Sequence, residues 1–288
     1  MNNITTLKDR SILEISGVDR VSFLQGLVSN DVTKASPTQL IYAAMLNATG
    51  RFLYDFFIFD DGEKLLLDCL SSRRDEIFKK LNFYKLKSQV KLEKNDVMKI
   101  YFSDKKISDE NIFQFDDPRL KNFGVRIYAE KLDKSTASED STKYNFHRIT
   151  KKIAEGEQDL TYEKSIIAEF NFDDLNAVDY KKGCYIGQEL TARTHYMGQV
   201  RKKVFHIKIN PLSPSRNVNT EANNDNPAKK GDEISCAGKN LGVVLSSVFY
   251  ENEFHALALL KIDEETNTIL TSDSAALTVN DQKIIIVS

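Results

Sequence analysis

From about residue 201 onward the chain offers strand-like runs and no helical one, and that asymmetry constrains the fold more than any other feature. The runs are 204–209, 241–249, 256–262, 275–279 and 283–287, with turns at 250–253 and 280–281. Five short strands without an intervening helix predict a small antiparallel barrel. Before Val200, helices and strands mix, so the predicted class is α+β with a C-terminal all-β module. A stretch rich in Asn, Pro, Ser and Thr at 210–232 is long for a loop inside a compact domain, and reads as a mobile excursion.

The opening segment alternates as a strand at 11–15, turns at Ser16-Gly17, and continues into a helix with Val21, Leu24, Leu27 and Val28 on one face. Asn30-Asp31 is its expected stop. Strands at 40–46 and 52–59 are joined through Asn47-Ala48-Thr49-Gly50, and another runs over 64–69. Ser72 and Asp75 have capping-box spacing for a helix that buries Ile77, Phe78 and Leu81. Further strands are expected at 89–92, 97–102 and 125–128, and a polar loop over 131–143.

Composition excludes several classes. The 288 residues carry 40 Lys and Arg against 42 Asp and Glu, so bulk electrostatics do not make this a nucleic-acid coat. No stretch approaches the roughly 18 apolar residues of a membrane helix. The first ten residues lack a signal-type apolar run or an Arg/Ser-rich transit helix, and three scattered cysteines do not make a disulfide framework. Together these features give the expectation of a cytoplasmic protein. Walker, G-x-G-x-x-G, G-x-S-x-G, H-E-x-x-H and C-x-x-C motifs are absent, which removes nucleotide cradles, nucleophile elbows and local zinc sites.

One segment carries chemistry. Residues 181–193 read Lys-Lys-Gly-Cys-Tyr-Ile-Gly-Gln-Glu-Leu-Thr-Ala-Arg, a glycine-hinged turn into a helix that begins near Gly187. Cys184 lies just ahead of that helix beside Lys181 and Lys182, surroundings that favour a thiolate. A small side chain filling a turn is the other reading. Cys69 and Cys236 read as structural. Between positions 181 and 208 stand seven Lys or Arg and one acid, Glu189. Such an excess suits an acidic partner, an anionic ligand or plain solvated surface.

The K-G-C-Y-x-G-Q-E run at 182–189 resembles the signature of the YgfZ-type folate-binding proteins of iron–sulfur assembly, a branch of the glycine-cleavage T-protein superfamily. Similarity extends to Ser16-Gly17-Val18-Asp19-Arg20, Phe23-Leu24-Gln25-Gly26, Asn30-Asp31-Val32, Asn47-Ala48-Thr49-Gly50-Arg51, and Tyr84-Lys85-Leu86-Lys87-Ser88, where Lys87 replaces the family's Arg. Gly242-Val243-Val244 and Ala256-Leu257-Ala258 resemble its barrel strands.

The resemblance implies a three-lobed, ring-like T-protein fold: two α+β lobes and a C-terminal antiparallel β-barrel. Residues 1–200 would be the folate-binding, aminomethyltransferase-like region, with the second lobe inserted at about 46–115, and 201–288 the barrel. Tetrahydrofolate or a derivative is the implied cofactor, with Lys182, Gln188, Glu189 and Arg193 as contacts. Glu169 aligns with the acid that holds the pterin ring, where a carboxylate accepts adjacent N–H groups in parallel. It otherwise reads as a surface acid before a loop. Phe170 departs from the family's Leu-Glu-Ala-Asn run.

The implied role is an accessory one in four-iron cluster biogenesis or repair, supporting radical enzymes that modify tRNA. Implied partners are iron–sulfur assembly proteins and client iron–sulfur enzymes, with neither a membrane nor nucleic acid among them. Cys184 would be the functional thiol and a transient ligand of a cluster shared with a partner, since thiolates suit iron–sulfur chemistry. Two alternatives differ in class. An aminomethyltransferase acting on tetrahydrofolate would call on acids such as Asp55 or Asp68. An RNA-binding module would use the 181–208 stripe with Tyr185, Tyr196 and Phe205 as stacking rings, and His195 as a lone candidate contact.

Overall fold

The computed structural model describes residues 4–132, 137–198, 200–210, 227–270 and 276–287. Two compact units divide the chain. The first comprises Met1–Ser141, Thr161–Ile167 and Phe172–Tyr196, and the second Thr142–Leu160, Ala168–Asn171 and Met197–Ser288.

Ten strands build the first unit: β1 (Ile4–Thr6), β2 (Arg10–Ser16), β3 (Ile41–Leu46), β4 (Phe52–Asp60), β5 (Lys64–Leu70), β6 (Lys91–Asn95), β7 (Lys99–Ser103), β8 (Phe113–Asp116), β9 (Val125–Ala129) and β10 (Ala137–Ser138). They form two five-stranded sheets, ordered β3-β4-β5-β2-β6 and β10-β1-β7-β9-β8. Pairing is antiparallel except for β1 with β10. Every residue of β4 is buried, because both faces of the strand are covered. Tyr54, Phe56 and Ile58 join a core with Leu24, Ile77 and Leu81 of the helices Arg20–Gln25 and Arg74–Lys85. On the opposite face, Phe59 meets Phe113, Phe115 and Tyr128 of the second sheet, with ring centroids 4.9–5.0 Å away.

Beside that aromatic seam lies a buried ion network. Asp68 on β5 accepts from Arg10 Nε at 2.6 Å within its own sheet, and from Arg126 Nη1 at 2.9 Å and the Tyr128 hydroxyl at 3.1 Å in the other. Asp117 accepts from Arg119 and Arg126. The Arg126 guanidinium also sits 3.4 Å from the Phe57 ring centroid. Three arginines are thus matched by Asp55, Asp68 and Asp117, all buried. Both guanidiniums beside Asp117 hold its carboxyl below the usual carboxylate range, against the opposing pull of burial.

In the second unit, β11 (Lys202–Asn210), β12 (Glu233–Cys236), β13 (Lys239–Tyr250), β14 (Glu253–Lys261), β15 (Leu277–Val279) and β16 (Gln282–Val287) close a barrel in the order β11-β14-β13-β12-β15-β16. Inward residues such as Ile207, Val244, Ala258, Leu260 and Ile284 fill it. At Gly242 a Cβ would stand 2.1 Å from the Leu259 carbonyl, so only glycine permits β13 to approach β14 there. His206 and His255 meet at 3.0 Å between β11 and β14. Burial first, then the neighbouring His255 and Lys208, pull His206 down to about 4.

Several expectations are corrected. The barrel has six strands rather than five, because β12 lies just beyond the expected excursion, most of which falls outside the described residues, and a helix, Glu264–Leu270, intervenes between β14 and β15 where none was expected. Ser72 and Asp75 form no capping box: a 3-10 turn at Ser71–Arg73 intervenes, the helix starts at Arg74, and no side chain caps it. The first helix ends at Gln25, so Leu27 and Val28 are buried beyond it. Part of the expected 131–143 loop is β10 and the start of the helix Thr142–Thr150.

Two outcomes follow from buried charge. Asp68→Ala takes one carboxylate partner from both Arg10 and Arg126 in a dry interior, leaving them Asp55 and Asp117, and urea denaturation should show a loss of about 3–5 kcal/mol. His206 is charged in the unfolded chain below its ordinary 6.5 but neutral in the barrel down to about 4. Its contribution is therefore intact above pH 6.5 and lost progressively on acidification toward pH 4. Thermal unfolding across that window should fall less steeply for His206→Phe than for the parent.

Candidate functional site

The 182–189 segment is braced at both ends within the first unit. Lys182 turns its ammonium inward, donating to the carbonyls of Gln25, Val28 and Asn30 at 2.7, 2.6 and 2.8 Å. An ammonium has three protons and all are used. Lys182 therefore anchors the loop. Burial pulls it down to about 8, against the opposing charges of Asp31 and Asp179. Asp179 accepts from the backbone N–H groups of Lys181 and Lys182.

Further along, the Ile186 N–H donates to the Gly26 carbonyl at 3.1 Å. The loop then meets the turn between β3 and β4, backbone against backbone. Gly187 has φ 82°, and a Cβ there would stand 2.4 Å from the Asn47 carbonyl oxygen. Gly50 has φ 78°, and a Cβ there would stand 2.9 Å from the Gly187 oxygen. Asn47 Oδ1 accepts from the N–H groups of Thr49 and Arg51 and from the Thr49 hydroxyl, which fixes the turn.

The helix Gln188–Met197 follows. Gln188 Oε1 accepts from the Tyr185 N–H at 3.1 Å and closes the loop on itself. Burial pushes the Tyr185 hydroxyl up to about 12. Between these ties Cys184 is exposed. Glu189 and Arg193 are exposed too, and neither has a hydrogen-bond or ion-pair partner among the described residues. Beside the same helix, Tyr180 stacks on His195 with centroids 3.7 Å apart, and both bond Asp173. His195 is thus tied to Asp173 and Tyr180, with Tyr196 edge-on at 5.0 Å.

Lys182, Cys184, Gln188, Glu189 and Arg193 therefore share one stretch of the first unit. Glu169 lies on the 3-10 turn Ile167–Phe170, half-buried, in the part of that turn that belongs to the second unit, and Phe170 beside it is buried. Asp55 and Asp68 are committed to Arg10. Cys69 is fully buried, and burial pushes its thiol up to about 12, while Cys236 is half-buried. In the basic stripe, Lys208 is paired with Glu253 and Phe205 packs against the barrel core. No group of three or more His, Cys, Asp or Glu among the described residues could hold a metal ion.

A cleft of about 550 Å³ also opens in the first unit, lined by Asn30, Lys34, Tyr42, Gln114, Asp117 and Lys121 among others. Sequence reasoning missed it, because its lining comes from several separate stretches and no local motif marks it.

No family model matches the chain. Its fold is similar to the glycine cleavage system aminomethyltransferase T from Bartonella henselae, with a TM-score of 0.70 over 99% of this chain and 84% of that one. At 12% identity this likeness defines the class: a protein with the aminomethyltransferase T fold. Closer in sequence are mitochondrial iron–sulfur cluster assembly factors IBA57. The homolog from Mycosarcoma maydis is 36% identical over 223 residues, 69% of this chain and 55% of the relative. The one from Dictyostelium discoideum is 31% identical over 253 residues, 71% and 62% respectively. Human IBA57 is 30% identical over 239 residues, 73% and 67%. The chain belongs to the iron–sulfur cluster assembly factor IBA57 family, and spans 55–67% of the length of these relatives.

The expected cytoplasmic placement does not stand, since these relatives are named as mitochondrial.

The glycine contact is directly testable. Gly187→Ala drives a methyl into the Asn47 carbonyl at a positive φ and should lose roughly 1–3 kcal/mol on chemical denaturation. Gly183→Ala, with nothing within 4 Å of its Cβ, should stay near neutral.

Proposed function

We propose that the chain is a tetrahydrofolate-binding accessory protein in the assembly or repair of four-iron clusters, with radical enzymes that modify tRNA among its clients. Membership of the IBA57 family supports the assembly role, and the relatives' names support action in mitochondria. The single observation that carries the site is the exposed Cys184 sulfur on a loop tied down by Lys182, Ile186 and Gly187. A thiol held this way is preorganised for a soft metal and meets solvent directly. One sulfur does not hold a cluster by itself, so the remaining ligands come from the partner and the cluster passes as cargo.

Tetrahydrofolate asks for a carboxylate toward the pterin and cations toward its glutamate tail. The first unit has such groups in the exposed Glu189 and Arg193, neither with a hydrogen-bond or ion-pair partner among the described residues. When bound, the folate supplies a hydrogen-bonding pterin face and a carrier position for one carbon. A one-carbon transferase reading is less well served, because Asp55 and Asp68 are both held by Arg10.

Two measurements separate the halves of the proposal. Calorimetry with tetrahydrofolate should give saturable heat, weakened about tenfold or more by Glu189→Ala or Arg193→Ala, the value of one lost charged hydrogen bond. A wild-type chain that gives no heat removes the folate half. In cells, Cys184→Ala should lower four-iron cluster content in client enzymes while the protein stays folded, and unchanged content removes the thiol half.

A further inference from the structure

The segment following the helix Arg74–Lys85 is not used by the loop around Cys184. From position 77 to 92 the chain carries five lysines and no acid, although the whole chain is net negative. The acids at the start of that helix are already neutralised: Asp75 pairs with Lys94 and Glu76 with Arg73. Lys80, Lys85 and Lys87 make no ion pair among the described residues. The helix dipole accounts for one cation in its last turn, Lys85, and leaves the others without a structural reason.

Apolar side chains stand among these charges. Val18 is 79% exposed, Phe83 75% and Leu86 86%. Single exposed apolar residues need no explanation, but Phe83 and Leu86 stand three positions apart at the end of one helix, and Val18 precedes Asp19, which lines one depression with Leu86. Leu86 and Lys87 line the same shallow depression as Asp19, Ser22 and Ser88. The Gln89 N–H donates to Asp19 Oδ2 at 2.7 Å, fixing the turn after the helix against the residue next to Val18.

Leu86 adds an independent sign. Its φ is 44° and its ψ −112°, a positive-φ conformation that glycine adopts far more readily than leucine. A leucine there is strained, and with its side chain in solvent no burial offsets the strain. Such an outlier points to a role outside folding.

We propose that Val18, Phe83 and Leu86, ringed by Lys79, Lys80, Lys85 and Lys87, form a docking surface for an acidic segment of a partner protein that carries apolar side chains between its carboxylates. Charge complementarity selects the acidic character, and the three exposed side chains select the apolar residues. A concave floor favours a peptide, which can fill it, over a flat bilayer, which would leave the depression unfilled. The surface uses residues other than those assigned to folate or to the thiol, so it stands whether or not that reading does.

The probe is a labelled peptide with Glu at every second position and Leu or Phe between, titrated into the full chain while amide resonances are followed. Saturable shifts should appear at 17–22 and 79–91. Lys85→Glu with Lys87→Glu should weaken binding at least about tenfold, and raised salt should weaken it as well. Leu86→Gly should raise the melting temperature by about 2–4 °C as strain is relieved, while weakening the peptide. The proposal is overturned by equal binding of a peptide with Lys in place of Glu, by no shifts in these segments, or by a Leu86→Gly chain that binds normally. Binding to phosphatidylserine vesicles without peptide binding, or self-association through this patch in sedimentation, would equally replace it.

Discussion

A single carboxylate ties the two sheets of the first unit together. Asp68 bonds Arg10 from its own sheet and Arg126 and Tyr128 from the other. Burying so much charge is unfavourable unless every member is matched, and here three arginines face three aspartates around the Phe57 ring. Apolar contact alone would let two aromatic faces slide, whereas an ion network permits one registration. Fixing the sheets also fixes the turn between β3 and β4, and it is against this turn that the Gly187 backbone rests.

The sequence made much of this visible and hid the rest for physical reasons. β4 is a nine-residue run that no reader would miss, yet the identity of what covers its second face is a matter of distant pairing. Arg10, Arg119 and Arg126 look like surface residues, because buried arginine is rare and Asp68, which joins Arg10 to Arg126, lies 58 positions from each. β12 hides behind polar residues, and the helix Thr142–Thr150 behind a Ser/Thr-rich approach. Capping-box spacing at Ser72 and Asp75 was a pattern without its geometry, since the helix begins later.

The site shows the same division. Glycines at 183 and 187 ahead of a helix were legible, and so was a lone cysteine between them. What Lys182 does was not, because its three carbonyl partners lie more than 150 positions earlier in the chain. A lysine next to a cysteine suggests a charge aimed at the sulfur or a ligand, and here the charge is spent on backbone oxygens.

The close approach of Gly50 and Gly187 bears on how any encounter with this loop proceeds. Two main chains in van der Waals contact leave no slack for a swinging arm. The sulfur at position 184 is a fixed post, and the work of alignment falls on the visitor. A protein built this way selects callers by how they land rather than by following them.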